Sequence, residues 1–295
     1  MIGAVDIGGT KFAVGMVDEH GKVLARAETP SYPERGLQDG LARITRMLRE
    51  TAEQAGGALQ GIGIGCTGPV DPHSGTLGLI EFLPGWEWFN LVEALQNQFK
   101  VPAAIENDAD AAALAEAAWG AGQGAARMIY VTVSTGIGGG MVFDGKLYRG
   151  AGGSHPEIGH HVIDPGGPRC FCGAHGCWES LASGTAMAKN NGRASAYEIC
   201  QAAERGEPEA LAAIEEEGRY LGMGLANLVT LFVPDVIALG GGVMQSRALF
   251  WDKINETIRT SCGLVPHERT RLVPALLGKD VALAGAARVF LQRYG

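Results

Sequence analysis

Two stretches of this chain carry the same order of features, and that repetition limits the possible folds more than anything else in the sequence. Residues 2 to 28 read as three short strands, IGAVDI, FAVGMVD and KVLARAE, parted by turns at Gly8–Gly9 and Glu19–Gly21. From residue 128 the layout recurs: a strand to Val133, a glycine turn STGIGGG, a second strand MVFDG and a third at KLYRG. VDIGGTKFAVGMVDEHGKV can be laid over VSTGIGGGMVFDGKL, so an internal structural duplication is expected. After the first copy, Leu41, Ile44 and Leu48 predict a helix over 36–55 and GIGIGC a buried strand at 61–66. A helix over 91–99, a strand over 101–106 and an alanine-rich helix over 108–119 follow. The second copy is followed by helices within 178–204, a long helix over 208–232 and the strand DVIALG. A helix over 246–261, a strand over 271–276 and a helix over 280–293 complete the pattern. Such alternation predicts an α/β architecture of two similar lobes with a cleft between them. The expected boundaries are 1–118 plus 279–295 for a small N-terminal lobe and 119–278 for a large C-terminal lobe.

The 295 residues are enough for two domains, and 46% hydrophobic with 19% charged residues is a globular composition. No apolar run approaches the ~20 residues that cross a bilayer, and MIGAVDIGGTKF lacks the pattern of a signal peptide. A net charge of −8 argues against nonspecific nucleic-acid binding, which rests on a basic surface. The 45 glycines are about twice the usual share and cluster in turns. One long segment, Thr67 to Asn90, has no sustained period and contains Trp86 and Trp88; a loop of that length inside a domain is usually functional.

His160 is followed by Cys170, Cys172 and Cys177 in CFCGAHGC. Zinc takes tetrahedral sulfur and nitrogen ligation, and Gly173 and Gly176 would let the backbone turn tightly enough for the four side chains to meet on one ion. The alternative is ordinary buried thiols. Bound metal would fix the neighbouring Glu157 and Glu179 in space and would need reduced thiolates, which implies a cytoplasmic location.

The first glycine turn is DIGGTK, residues 6 to 11. Gly8 and Gly9 let backbone amides approach an anion, the Thr10 hydroxyl can donate, and Asp6 can hold a hydrated magnesium ion; a plain hairpin turn is the other reading. STGIGGG and the GGG at 240–242 offer two more such places, where a nucleotide could lie close to bare backbone. None of the three matches a P-loop or a dinucleotide fingerprint. In ENDAD, Asn107 can bond a hydroxyl, and Asp108 at a helix start is either an N-cap or an ionised general base, with Glu106 and Asp110 as competitors that strand alternation and helix rotation point elsewhere.

DIGGTK, ENDADAAALAE, STGIGGG, EIGHH, CFCGAHGCWESLASG and ALGGGV stand in that order over nearly the whole chain. In this the chain resembles the ROK family of bacterial sugar kinases, within the actin, Hsp70 and hexokinase superfamily. The resemblance implies a two-lobed actin-like ATPase fold (ribonuclease H-like), with a duplicated mixed sheet and a zinc-binding loop, and ATP-dependent phosphorylation of a hexose at its 6-hydroxyl. It implies that Asp108 is the base, that Asn107 binds neighbouring hydroxyls, and that Glu157, His160 and Glu179 bind the sugar near O1 to O3, with Gly68 contributing. His160 would also ligate structural zinc with Cys170, Cys172 and Cys177, its two ring nitrogens dividing the tasks. Asp6, Gly8, Gly9, Thr10, Lys11, Thr135, Gly136, Gly138, Gly241 and Gly242 would hold ATP with its magnesium. Similar kinases are commonly homodimers. Two departures stand out: Phe82 precedes LPGW where the family often has Asn, and GGSHPEIGH replaces a stretch richer in glycine and alanine. Glu157 fits the glucose-type members, so glucose is expected first and N-acetylmannosamine or N-acetylglucosamine second. A noncatalytic sugar sensor or a sugar-responsive regulator of the same family is the rival class, but such regulators carry an N-terminal winged helix, and this chain opens directly on its first strand.

Overall fold

The strand Ile2–Ile7 (β1) alternates so that Val5 and Ile7 enter one apolar layer while Ile2 and Ala4 enter another. A strand buried on both faces belongs at the centre of a sheet. The computed structural model, which describes residues 1–295, shows it there. Its neighbours in chain order are Lys11–Val17 (β2), Val23–Pro30 (β3), the helix Gly36–Ala55 (α1) and Gly61–Cys66 (β4). A two-residue pair, Val70–Asp71 (β5) and Thr76–Leu77 (β6), then precedes Leu91–Phe99 (α2), Ala103–Asn107 (β7) and Asp108–Trp119 (α3). The sheet order is β3-β2-β1-β4-β7, antiparallel on the hairpin side and parallel from β1 onward.

The apolar run GIGIGC explains how helices cover both faces. Ile62 and Ile64 join the layer containing Ile44, Met47 and Leu48 of α1. The glycines face the other way: a Cβ on Gly61 would overlap the Phe290 ring and one on Gly63 would overlap the Ala286 carbonyl oxygen. Both belong to the C-terminal helix, which can therefore lie directly on the backbone of β4.

The second half contains Arg127–Val133 (β8), Ile137–Phe143 (β9), Lys146–Leu147 (β10), Trp178–Ala182 (α4), Gly184–Asn190 (α5), Ala196–Glu204 (α6) and Pro208–Phe232 (α7). Val236–Gly240 (β11), Trp251–Ser261 (α8), Arg271–Pro274 (β12) and Val281–Tyr294 (α9) follow. Its sheet order is β10-β9-β8-β11-β12, with β8 and β9 antiparallel and β8, β11 and β12 parallel. Position for position this is the arrangement of the first sheet, so the duplication expected from sequence is present. The chain forms two compact units, Met1–Gln123 with Gly145–Leu147 and Leu276–Gly295, and Gly124–Asp144 with Tyr148–Ala275. No helix is long and apolar enough to cross a membrane.

Several local expectations need correction. STGIGGG turns only at Ser134–Gly136; Gly138, Gly139 and Gly140 lie within β9 and pair with Thr132, Val131 and Tyr130. A Cβ on Gly139 would overlap Ile158 and the Tyr130 carbonyl, so close packing within a strand, and not a turn, requires glycine there. Strand β7 runs one residue further than expected, to Asn107, because Asn107 still pairs with Cys66. The helix expected from 246 begins at Trp251, after a 3-10 stretch at Val243–Leu249. The aperiodic loop 67–90 is well packed: Leu77, Ile80, Leu83 and Trp86 are all buried, with the Trp86 ring 5.7 Å from Phe12.

The close approach at β4 yields a direct test. Gly63→Ala should destabilise the protein by about 3 kcal/mol or more in urea unfolding, since backbone and not a flexible side chain must move. A change below about 1 kcal/mol would contradict the packing described.

Candidate active site and metal centre

In the first unit, β1, β4 and β7 end together: Asp6 pairs with Gly65, Gly65 with Glu106 and Cys66 with Asn107. The carboxyl ends of parallel strands are where sheets of this kind present ligands with side chains and helix N-termini. Asn107 is the cap of α3, its side-chain oxygen accepting from Ala109 N at 2.9 Å and Asp110 N at 3.2 Å. Capping therefore falls to Asn107, and Asp108 stands as the first helical residue, accepting from Ala109 N at 2.8 Å. The helix dipole favours its ionised form. Glu106 and Asp110 are buried in the interior, 8% and 0% exposed.

Gly65 leaves room between two acids. A Cβ there would lie 3.7 Å from Asp108 Cα and 3.9 Å from Asp6 Oδ1. Burial, reinforced by the Asp108 carboxylate and partly opposed by Lys11, pushes the Asp6 carboxyl up to about 7. Burial likewise pushes the Cys66 thiol well up, with Asp108 and Asp6 adding to the effect. Gly68 lies beside the same group, a Cβ on it falling 3.3 Å from Asn107 Nδ2.

The DIGGTK turn is held from several sides. Gly8 N donates to Lys11 O at 3.0 Å, and Ser31 donates from Oγ to Gly9 O at 2.6 Å and from N to Thr10 O at 2.9 Å. Thr10 is exposed, and Lys11 Nζ reaches Glu28 at 3.3 Å. Phe82, 64% exposed, lies against Gly9, where a Cβ would be 2.8 Å from the Phe82 Cβ.

In the second unit the metal-type residues form one cluster. The ligand atoms of His160, Cys170, Cys172 and Cys177 all lie within 4.8 Å of one another. His160 Nδ1 is 3.5 Å from Cys170 Sγ, and Cys172 Sγ is 3.5 Å from Cys177 Sγ. Ligands 2.0–2.3 Å from a tetrahedral ion stand about 3.5 Å apart, so the donor set and its spacing fit a closed four-ligand site. The loop is tied into this shape by bridges between Val162 and Cys177 and between Arg169 and His175. Gly176 has φ 68° and passes directly against the Asp164 carbonyl, which only glycine permits. Trp178, fully buried against Gly224 of α7, anchors the loop to the core. Burial and the neighbouring thiols push Cys177 up to about 12, whereas the Cys172 thiol, accepting a backbone hydrogen bond at Ala174, is lowered. A divalent cation would draw all three into the thiolate form.

The other nitrogen of His160, Nε2, faces Glu179 Oε1 at 4.0 Å. Glu179 also accepts from Ile137 N at 2.8 Å through Oε2, immediately after the second glycine turn. The cysteine cluster is thus linked through His160 and Glu179 to the start of β9. Glu157 is exposed and opens the 3-10 turn Ile158–His160, its carbonyl accepting from His160 N at 3.0 Å. Thr135 and Gly136 lie in the turn itself, while Gly138 is a strand residue. The turn meets Gly241–Gly242 at the end of β11, where a Cβ on Gly242 would lie 3.7 Å from Ser134 Oγ.

Sequence reasoning missed the placement of four residues here. Gly65 was hidden in a run read only as a buried strand. Gly184 and Thr185 also reach the second glycine turn, donating from N to Ser134 O at 2.7 Å and Thr135 O at 3.3 Å; the small-residue stretch Ser183–Thr185 after Glu179 was the available signal. The contact of Phe82 with Gly9 had no sequence signal beyond the departure at Phe82 itself.

Residues 2–293 match the model of the ROK family, and the chain belongs to that family. A glucokinase of Thermotoga maritima is 30% identical over 99% of this chain and 97% of its own. Among solved structures, the ROK hexokinase of Thermus thermophilus has a TM-score of 0.87 at 36% identity, covering 99% of this chain and 98% of that one. A ROK glucokinase of Streptomyces griseus, solved in complex with glucose and AMPPNP, has a TM-score of 0.82 at 33% identity, with 97% of each chain covered. The fold is therefore the two-lobed, actin-like α/β class that the motifs implied.

The raised Asp6 carboxyl gives a pH prediction. Between the unfolded value near 3.8 and about 7 the folded chain binds the extra proton, so this group's contribution falls as pH rises through that window and is least favourable above 7. Asp6→Asn should raise thermal stability at pH 8 by on the order of 1–2 kcal/mol and change it little at pH 4. Equal effects at both pH values would contradict the assignment.

Proposed function

We propose that this protein is an ATP-dependent sugar kinase that phosphorylates the 6-hydroxyl of a hexose, with glucose as the first substrate. The observation that carries the reading is Asp108: an acid at the first position of a helix, relieved of capping by Asn107 and set beside a second carboxylate at the ends of parallel strands. In the proposed reaction the 6-hydroxyl oxygen bonds to the γ-phosphorus of ATP and the bond from phosphorus to the β-phosphate oxygen breaks, releasing ADP. Asp108 accepts the hydroxyl proton and returns it to solvent. Asn107 and Gly68 border the same acid and orient neighbouring hydroxyls; Glu157, His160 and Glu179 bind the ring near O1 to O3.

The glycine turns fit a triphosphate in this reading. Gly8, Gly9, Thr10 and Lys11 of the first turn and Thr135 and Gly136 of the second would hold it, with Gly138 following the second turn in its strand. Gly241 and Gly242 border the nucleoside. Magnesium carried with ATP would neutralise phosphate charge, and Asp6 would hold its water shell; a cation there would also draw the Asp6 proton off.

The Cys3His cluster is assigned to structural zinc, because thiolate and imidazole in a closed tetrahedron suit that ion. Zinc would fix the His160 ring by Nδ1 and leave Nε2 for substrate and Glu179. The same reading takes the two compact units as the small and large lobes, the location as cytoplasmic and the assembly as a homodimer, as in similar kinases.

Purified protein with magnesium and ATP should form ADP and a hexose 6-phosphate in equal amounts, with glucose preferred over fructose, mannose, N-acetylmannosamine and N-acetylglucosamine. Asp108→Asn should lower kcat by about 10²- to 10⁴-fold while glucose affinity, measured by calorimetry, changes little. A variant with near-normal kcat would remove Asp108 as the base, and no sugar-dependent ADP from the parent protein would remove the kinase reading.

A further inference from the structure

Glu116 is fully buried and lies on α3, eight residues beyond Asp108 and so about 12 Å along the same helix. Its carboxylate has three backbone donors. Oε2 accepts from Ala121 N at 2.8 Å and from Leu276 N at 3.2 Å, and Oε1 accepts from Leu277 N at 2.8 Å. None of these partners is a cation. Burying a carboxyl group without partners is costly, and three convergent N–H groups supply the partners here. Gly120 makes room for it, since any Cβ there would overlap Oε2.

The identity of those donors matters more than their number. Apart from the three-residue excursion Gly145–Leu147, the chain passes between its two compact units twice, at Gln123/Gly124 and at Ala275/Leu276. Ala121 lies just before the first passage, and Leu276 and Leu277 lie just after the second. One side chain therefore grips both connecting segments, which are 155 residues apart or more in sequence. The polar demand of the two segments could have been met by separate local caps; here it converges on the helix that carries Asp108 at its other end.

We infer that Glu116 is a positioning residue for phosphoryl transfer: it pins the two chain segments that leave and re-enter the first unit to α3, and so holds in place the helix that begins at Asp108. The inference rests on the kinase reading for its link to turnover, but its structural half does not. Aligned phosphoryl transfer is sensitive to displacements near 1 Å, so loosening the pin should lower kcat more than it weakens sugar binding.

Two measurements test this. In the parent protein, hydrogen exchange should show the amides of Ala121, Leu276 and Leu277 strongly protected, both free and with saturating glucose and AMPPNP. Fast exchange at these amides, or loss of protection when ligands bind, would overturn the pin whether or not the chain proves to be a kinase. In Glu116→Gln, which keeps the size but turns an amide nitrogen toward N–H groups, exchange at the three positions should accelerate. For the folded variant, kcat should fall at least about 10-fold with glucose KM within about 3-fold. Normal kcat despite free exchange would reduce Glu116 to a structural role. Should the variant not fold, the exchange pattern of the parent protein decides. A parent protein that phosphorylates no hexose would overturn the kinase reading instead, leaving the exchange result to judge Glu116.

Discussion

The imidazole of His160 is the point on which the site in the second unit depends. One nitrogen faces Cys170 and the thiol cluster, and the other faces Glu179, which in turn accepts from the first amide of β9. The ring thus has a partner on each side, Cys170 Sγ at 3.5 Å and Glu179 Oε1 at 4.0 Å. The loop can deliver this ring only because Gly176 passes against the Asp164 carbonyl and Trp178 fills a notch made by Gly224. One short, glycine-rich loop thereby brings four metal-type side chains together.

The first unit solves a different problem by the same economy of space. Asp6 and Asp108 both lie next to Gly65, whose missing side chain leaves the space between them. Burial, with the Asp108 carboxylate adding to it, holds the Asp6 carboxyl up at about 7. Asn107 relieves Asp108 of the capping duty that an acid at a helix start commonly serves. The duplicated sheet places glycine turns at equivalent positions in both units, each between the first and second strand of its sheet.

Much of this was legible in the sequence, and for physical reasons. The strand-turn-strand repeat survives because both copies need bare backbone at the turn and alternating apolar residues after it. The cluster of His160, Cys170, Cys172 and Cys177 was legible because its members are local, with His160 and Cys177 joined by a single loop. What the sequence hid was contact at a distance. The glycines of GIGIGC read as strand filler until α9 and α3 were seen lying on them, and the glycines of STGIGGG read as turn until Gly139 was found packed inside β9. Glu116 gave no signal within the alanine-rich helix over 108–119, because its partners at Leu276 and Leu277 are 160 residues or more away.

The central claim is that a metal-braced histidine orients the sugar, and its most direct test is glucose binding by calorimetry before and after zinc is removed by a chelator from protein carrying one zinc per chain. Glucose affinity should fall at least about 10-fold in the stripped protein, nucleotide affinity should persist, and added zinc should restore sugar binding. Unchanged glucose affinity in folded, zinc-free protein would contradict the account.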